Sequence, residues 1–314
     1  MSRKLTVTIP SYRQPKELYR ALVALSHQTF KDFDVVIIDD NSGVDVESIA
    51  NQFKDKLSIR VHTNEKNFGA MKNLEFSINF PCTSQYILSH HEDDFLVSNY
   101  LEEAVKILDE EKDVAFVVAA PVWAKREQEF VLETISTIPP ILYSPTEFME
   151  ASLSRAPFMF GSIVYRRSNL TGNFDLENYY TLCDKIYLNT ILINSSSKAA
   201  FIPRGAIYIT DHSQDENDTR STDAKDTHLI NYFLFYKKYL PDTFKTKKLI
   251  TNGLLLGFIN LPDKHSFIDY FKKAKKGNLA TFYSINLVGL YSLFVIAFGK
   301  KVSYVIFAIL KNKR

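Results

Sequence analysis

Residues 34–42 read Asp-Val-Val-Ile-Ile-Asp-Asp-Asn-Ser. Four consecutive β-branched residues run into two carboxylates and a turn sequence. An unbroken apolar run of this length marks a strand buried on both faces, as in a parallel sheet. The pattern recurs on either side. Residues 5–9 predict a strand that ends at Pro10. A helix then starts near Pro15 and carries Leu18, Ala21, Leu22 and Leu25 at helical spacing. Beyond the central strand come a polar helix over 44–56, a strand over 58–62 and a helix over 69–80. A strand over 86–89, a helix over 99–111 with Ser98 as N-cap, and a strand over 114–119 complete the series. Strand–helix alternation predicts an α/β fold with a mainly parallel central sheet flanked by helices. Such sheets bind ligands beyond the carboxyl ends of their strands. Three polar clusters stand at those ends: Ser11 and Tyr12, Asp39-Asp40-Asn41, and Glu92-Asp93-Asp94.

Past residue 124 the alternation stops. A strand over 159–166, a helix over 182–192 and a strand over 199–209, interrupted by Pro203 and Gly205, are expected. Residues 211–225 are polar without periodicity and read as a loop; 229–239 read as an aromatic-rich helix.

The 314 residues are 46% hydrophobic and 24% charged, which excludes a mainly disordered chain, a collagen-like fibre and a multi-span membrane protein. Two distant cysteines, Cys82 and Cys183, make neither a disulfide framework nor a thiolate zinc site, and read as free thiols of a reducing compartment. The opening MSRKLTVTIPSYRQP has no apolar stretch of signal-peptide length, so the expected location is the cytoplasmic side. The net charge of +2 hides an asymmetry. Residues 245–314 hold 13 Lys and Arg against 2 Asp and Glu, leaving 25 basic and 34 acidic residues in 1–244. No charge interrupts 277–299, and lysines flank it on both sides. Lysines beside apolar helices suit an anionic membrane surface. The expectation is a helical region over 226–314 whose 277–310 segment lies in or dips into the cytoplasmic leaflet; a single span and a buried hairpin are the alternatives. Nucleic acid is set aside as a partner, because the basic residues alternate with long apolar runs.

Several residue types offer chemistry. Asp93 and Asp94 are adjacent hard-oxygen ligands that suit Mg²⁺ or Mn²⁺ shared with substrate phosphates. Their neighbours His90 and His91 lack a metal-ligand spacing and are given no metal role. Asp40 is placed to accept from a nucleobase or ribose, with Asp39 in turn chemistry. Asn67-Phe68-Gly69 opens a helix whose N-terminus favours a diphosphate, and Lys72 adds a point charge. Asp184, at the start of a predicted helix, reads either as a general base or as a helix-cap carboxylate. His212 opens the polar loop.

Taken together these residues resemble the inverting GT-A glycosyltransferases of glycosyltransferase family 2. The resemblance rests on Thr8-Ile9-Pro10-Ser11-Tyr12, Leu25-Ser26-His27-Gln28-Thr29-Phe30, Val36-Ile37-Ile38-Asp39-Asp40-Asn41-Ser42, Asn67-Phe68-Gly69 and Glu92-Asp93-Asp94. Gly161-Ser162, Arg166-Arg167, Leu182-Cys183-Asp184 and His212 extend it more loosely. It implies a Rossmann-like GT-A catalytic domain over 1–225, with a nucleotide-binding half (1–95) and an acceptor half (96–225), followed by the helical basic region over 226–314. It also implies a metal-dependent transferase that takes a nucleotide-diphosphate sugar, most often a UDP-sugar, and a glycan or lipid-linked acceptor. Pro10, Ser11, Tyr12, Asp40, Asn67, Gly69, Lys72 and Asp93 fall on the nucleotide side. Asp94, Asp93 and His212 fall on the metal, Asp184 matches the catalytic base, and the loop after Thr210 would close over the donor. One departure is that His91 stands where the family motif has its first aspartate. A homo-oligomer is compatible with the sequence. A sugar nucleotidyltransferase needs a glycine-rich loop where this chain has IPSYRQP. An inert membrane-surface scaffold on the same fold fits poorly with the intact set Asp40, Asp93, Asp94 and Asp184.

Overall fold

The run that opens the sequence reading is strand β2 (Phe33–Asp39), preceded by β1 (Leu5–Ser11) and α1 (Pro15–Ser26). The structure, a computed structural model, describes residues 3–124, 138–154, 156–179, 182–210 and 226–259. Val35, Val36, Ile37 and Ile38 are all fully buried, so both faces of β2 are covered as its apolar run requires. The chain continues through α2 (Val46–Asn51), β3 (Ile59–Thr63), α3 (Ala70–Ile78), β4 (Tyr86–Ser89), β5 (Phe95–Leu96), α4 (Tyr100–Glu110) and β6 (Val114–Ala124). It then forms β7 (Ile141–Tyr143), α5 (Pro145–Leu153), β8 (Val164–Arg166), α6 (Leu176–Tyr179), α7 (Cys183–Ser195), β9 (Lys198–Thr210), α8 (Asp226–Tyr239) and α9 (Phe244–Ile259). A 3₁₀ turn at Phe160–Ser162 precedes β8.

The strands form one sheet in the order β3-β2-β1-β4-β8-β6-β9-β5, with β7 paired to β9. β3, β2, β1 and β4 run parallel. β8 then enters antiparallel between β4 and β6, and β5 and β7 pair antiparallel with β9. The sheet is therefore mixed: β1, β2, β3, β4, β6 and β9 share one direction, as the alternation suggested, and β5, β7 and β8 run against them. Pairing of β8 with strands some fifty and eighty residues earlier leaves no mark on local periodicity. Pro203 and Gly205 do not break β9; they coincide with irregular register against β6, around Ala119–Pro121.

The described chain divides into two compact units. The first comprises 1–148, 155–174 and 187–221 and holds the sheet and its core; the second comprises 149–154, 175–186 and 222–314. Within the second unit, Asn231 Nδ2 donates to Asn178 O at 3.1 Å, and the ring of Phe235 meets that of Tyr179 edge-on. Among the described residues no helix is long and apolar enough to cross a membrane. The 277–310 segment, the 211–225 loop and His212 lie outside the described residues.

In the first unit α4 starts differently from the sequence reading. Asn99, not Ser98, is the N-cap, and it makes no side-chain cap bond. Buried Gln28 ties this corner to the end of α1: its Nε2 donates to Val97 O at 2.8 Å and its Oε1 accepts from Leu101 N at 3.2 Å. Gln28→Ala strands the Leu101 N–H, while Val97 O keeps Tyr100 N, so a loss of about 2 kcal/mol in unfolding free energy is expected in urea denaturation.

Candidate active site

The carboxyl ends of β1, β2 and β4 define one edge of the sheet, and two buried carboxylates organise it. Ser11 and Asp39 are register partners at the ends of β1 and β2. Asp40, the next residue, is 1% exposed. Its Oδ1 accepts from Asn64 Nδ2 and from Phe68 N, and its Oδ2 accepts from Gly69 N, each at 2.8 Å. Asn64 Nδ2 also donates to Asn73 Oδ1 at 2.9 Å, and Asn73 Nδ2 donates to Ile38 O at 3.2 Å. Gly69 sits at φ +85°, a conformation that favours glycine, and this turns its N–H onto Asp40. The Gly69 amide is thus spent on Asp40 and not offered to a diphosphate. Asp40 itself shapes the loop before α3, because its carboxylate accepts from the chain's own N–H groups. Asp39 does the turn work expected of it, accepting from Ser42 N at 3.2 Å.

Glu92 is the second organiser, and the sequence reading gave it no role of its own. Its Oε2 accepts from Ser11 Oγ at 2.5 Å and its Oε1 from Tyr12 N at 3.0 Å, locking the end of β1 to the loop after β4. Burial pushes its carboxyl up to about 7, against the opposing pull of those two donors. Above this floor, Tyr12, Phe68, Asn67 and Lys72 are exposed, and Pro10 is half-buried. Both exposed aromatics belong to segments bonded to Asp40: Ser11 O, next to Tyr12, accepts from Asp40 N, and Phe68 N donates to the Asp40 carboxylate.

Beside Glu92 stands a cluster with metal-binding chemistry. One ligand atom each from His91, Asp93 and Asp94 lie within 4.8 Å of one another, and His91 Nδ1 is 3.4 Å from Asp94 Oδ2. Asp94 is buried while His91 and Asp93 are half-buried. An imidazole nitrogen with two carboxylates suits a first-row divalent ion such as Mn²⁺. The fold thus brings His91, which spacing gave no metal role, to the two carboxylates. The signal available was the His-x-Asp-Asp spacing of positions 91, 93 and 94, not the adjacency of the two histidines. His90 is fully buried, and its Nδ1 donates to Gly161 O at 3.0 Å. Burial holds its ring below the usual histidine range, hence neutral. That bond seats Gly161 against the cluster. A Cβ on Gly161 would stand 2.7 Å from Asp94 Oδ2 and 3.2 Å from the His91 ring.

Asp184 belongs to the second unit. It lies in the first turn of α7, and its Oδ1 accepts from Lys185 N at 2.6 Å.

Comparison with known proteins agrees with this geometry. The profile for Glycosyl transferase family 2 matches residues 6–171. A curated relative, the poly(ribitol-phosphate) beta-N-acetylglucosaminyltransferase TarS of Staphylococcus aureus, is 27% identical over 109 residues, which make up 34% of this chain and 19% of TarS. The crystal structure of S. aureus TarS matches 96% of this chain and 55% of its own length at TM-score 0.63 and 16% identity. This chain therefore spans about half of that protein. A shorter TarS structure, residues 1–349 in complex with UDP-GlcNAc, matches at TM-score 0.51 and 16% identity, over 86% of this chain and 72% of that one. The mannosyltransferase PcManGT of Pyrobaculum calidifontis, in complex with GDP-Man and Mn²⁺, matches at TM-score 0.57 and 16% identity, over 99% of this chain and 87% of that one.

Two outcomes follow from the site. Gly161→Ala pushes on Asp94, so Mn²⁺ affinity measured by electron paramagnetic resonance is expected to fall at least about tenfold, or about 1.4 kcal/mol. Glu92 holds its proton more tightly folded than unfolded, so its contribution to stability is present at low pH and lost as pH rises through about 7. In chelator, wild type is expected to lose up to about 3 kcal/mol relative to Glu92→Gln between about pH 5 and pH 9, read from urea midpoints.

Proposed function

Because the chain belongs to glycosyl transferase family 2, we propose that it moves a sugar from a UDP-sugar to a hydroxyl of a lipid-linked or polysaccharide acceptor, with inversion at the anomeric carbon. The observation that carries this reading is the His91–Asp93–Asp94 cluster at the carboxyl edge of the parallel strands. The donor class draws support from TarS, whose structure holds UDP-GlcNAc, and the metal from PcManGT, whose structure holds Mn²⁺.

In this reading Tyr12 and Phe68 offer ring faces to the nucleobase, and buried Asp40 keeps the loop that carries Phe68 in place. Lys72 supplies positive charge near the diphosphate. His91, Asp93 and Asp94 would hold Mn²⁺ or Mg²⁺, and the imidazole favours Mn²⁺. When bound, that ion offsets the charge that builds on the departing diphosphate. His212 is assigned as a further ligand on the family resemblance alone. Asp184 takes the proton from the acceptor hydroxyl, whose oxygen attacks the anomeric carbon on the face opposite the diphosphate. One displacement with one base gives inversion. The basic, apolar sequence over 245–314 is assigned to the cytoplasmic face of a membrane, where it would bring the site to a lipid-linked acceptor.

The test is turnover with UDP-sugars and a panel of lipid-linked and polysaccharide acceptors. Asp184→Asn is expected to lower kcat by about 10²–10⁴-fold with UDP-sugar affinity unchanged. The anomeric proton coupling of the product is expected to report the configuration opposite to the donor's. Retained configuration, or full activity of Asp184→Asn, contradicts the proposal.

A further inference from the structure

A cavity opens at the other end of β4, away from the acidic cluster. Tyr86, the first residue of β4, pairs with Arg166, the last residue of β8. Ser84, Gln85, Arg166, Arg167 and Ser168 line a space of about 360 Å³ there. The two arginines are adjacent in sequence and half-buried.

Each guanidinium is anchored by backbone carbonyls. Arg166 Nε donates to Val114 O at 3.0 Å, and its Nη2 donates to Leu108 O at 2.6 Å and Glu111 O at 3.1 Å. These bonds serve carbonyls at and beyond the C-terminus of α4, where helical donors run out. Arg167 Nη1 donates to Cys82 O and to Ser84 O, which fixes the approach to β4. A guanidinium has five N–H groups. Arg166 also meets the Tyr86 hydroxyl, while Arg167 keeps Nε and Nη2 for a ligand.

Neither arginine makes an ion pair with a carboxylate among the described residues. The nearby acids are engaged elsewhere: Asp109 by Lys4 at 2.5 Å and Asp113 by Lys198 at 2.8 Å. Arg166 also lies within the field of Asp113, whereas Arg167 has only carbonyl partners; a partly desolvated positive charge so placed forms an oxyanion site in waiting, because charge–charge attraction strengthens as water is excluded. The planar fork of Arg167, with the Arg166 charge and the Gln85 amide beside it, matches the several acceptor oxygens of a phosphate better than the two of a carboxylate.

We propose that the cavity bounded by Ser84, Gln85, Arg166, Arg167 and Ser168 binds a phosphate group, either free phosphate or the phosphodiester of a polymeric acceptor. The cavity exceeds what inorganic phosphate fills, so it admits substituents on the phosphate. It stands at the opposite end of β4 from the donor edge, so the two ligands do not compete. Phosphate binding here does not depend on the transferase reading; only the polymeric acceptor as its source rests on that reading.

The test is calorimetric titration of inorganic phosphate into the full chain with a chelator present, so that no metal at the acidic cluster recruits the anion. Wild type is expected to bind. Ser168→Asp adds a carboxylate at the exposed rim and leaves every guanidinium–carbonyl bond in place; it is expected to weaken phosphate binding at least about tenfold. Arg167→Gln is expected to do the same, and Ser168→Ala to stay within about twofold of wild type. A glycerol-phosphate oligomer that binds more tightly than inorganic phosphate identifies the polymer as the source; one that binds no more tightly identifies the free ion. Absence of phosphate binding by wild type, or equal binding by Ser168→Asp, overturns the proposal.

Discussion

A carboxylate taken out of water must meet donors or take up a proton, and that constraint shapes the working edge of this sheet. Asp40 and Glu92 meet it in different ways. Asp40 gathers three N–H groups, two of them from the backbone just ahead of α3, and so dictates where Phe68 and Gly69 stand. Glu92 has two donors from the end of β1, yet burial still raises its affinity for a proton. Through these bonds the ends of β1 and β2, the loop before α3 and the loop after β4 become one surface. The candidate metal ligands are built on the last of these, next to Glu92.

The same edge shows how backbone and side chains share the work. His90, neutral and buried, holds the Gly161 carbonyl, and this brings the 3₁₀ turn ahead of β8 against His91 and Asp94. β8 then runs the length of β4 and ends at Arg166, beside the arginine cavity. A three-residue antiparallel strand thus connects the packing around the acidic cluster to the opposite edge.

Much of the first hundred residues was legible in the sequence because the signals are local. The β-branched run of β2, helical spacing in α1 and proline and glycine punctuation each act within a few residues. The polar clusters at strand ends followed from the same alternation. What stayed hidden depends on distant partners. The antiparallel entry of β8 requires pairing with β4 and β6, and no local period encodes it. The burial of Asp40 depends on Asn64 and on the 68–69 backbone, which lie beyond any spacing rule. His91 was passed over because two adjacent histidines lack a metal-ligand spacing, whereas the fold brings its Nδ1 to the carboxylates. The Asp184 assignment rests on resemblance to the family, and its helix start is equally what a cap would show.

The central claim is that the edge holding His91, Asp93 and Asp94 is a metal-dependent nucleotide-diphosphate site. Calorimetry of UDP binding to the full chain, with Mn²⁺ and then with chelator, tests it most directly. The predicted result is UDP binding that requires Mn²⁺ and is lost when Asp93 and Asp94 are both replaced by Asn. UDP binding of equal strength in chelator, or no binding of UDP with metal present, contradicts the claim.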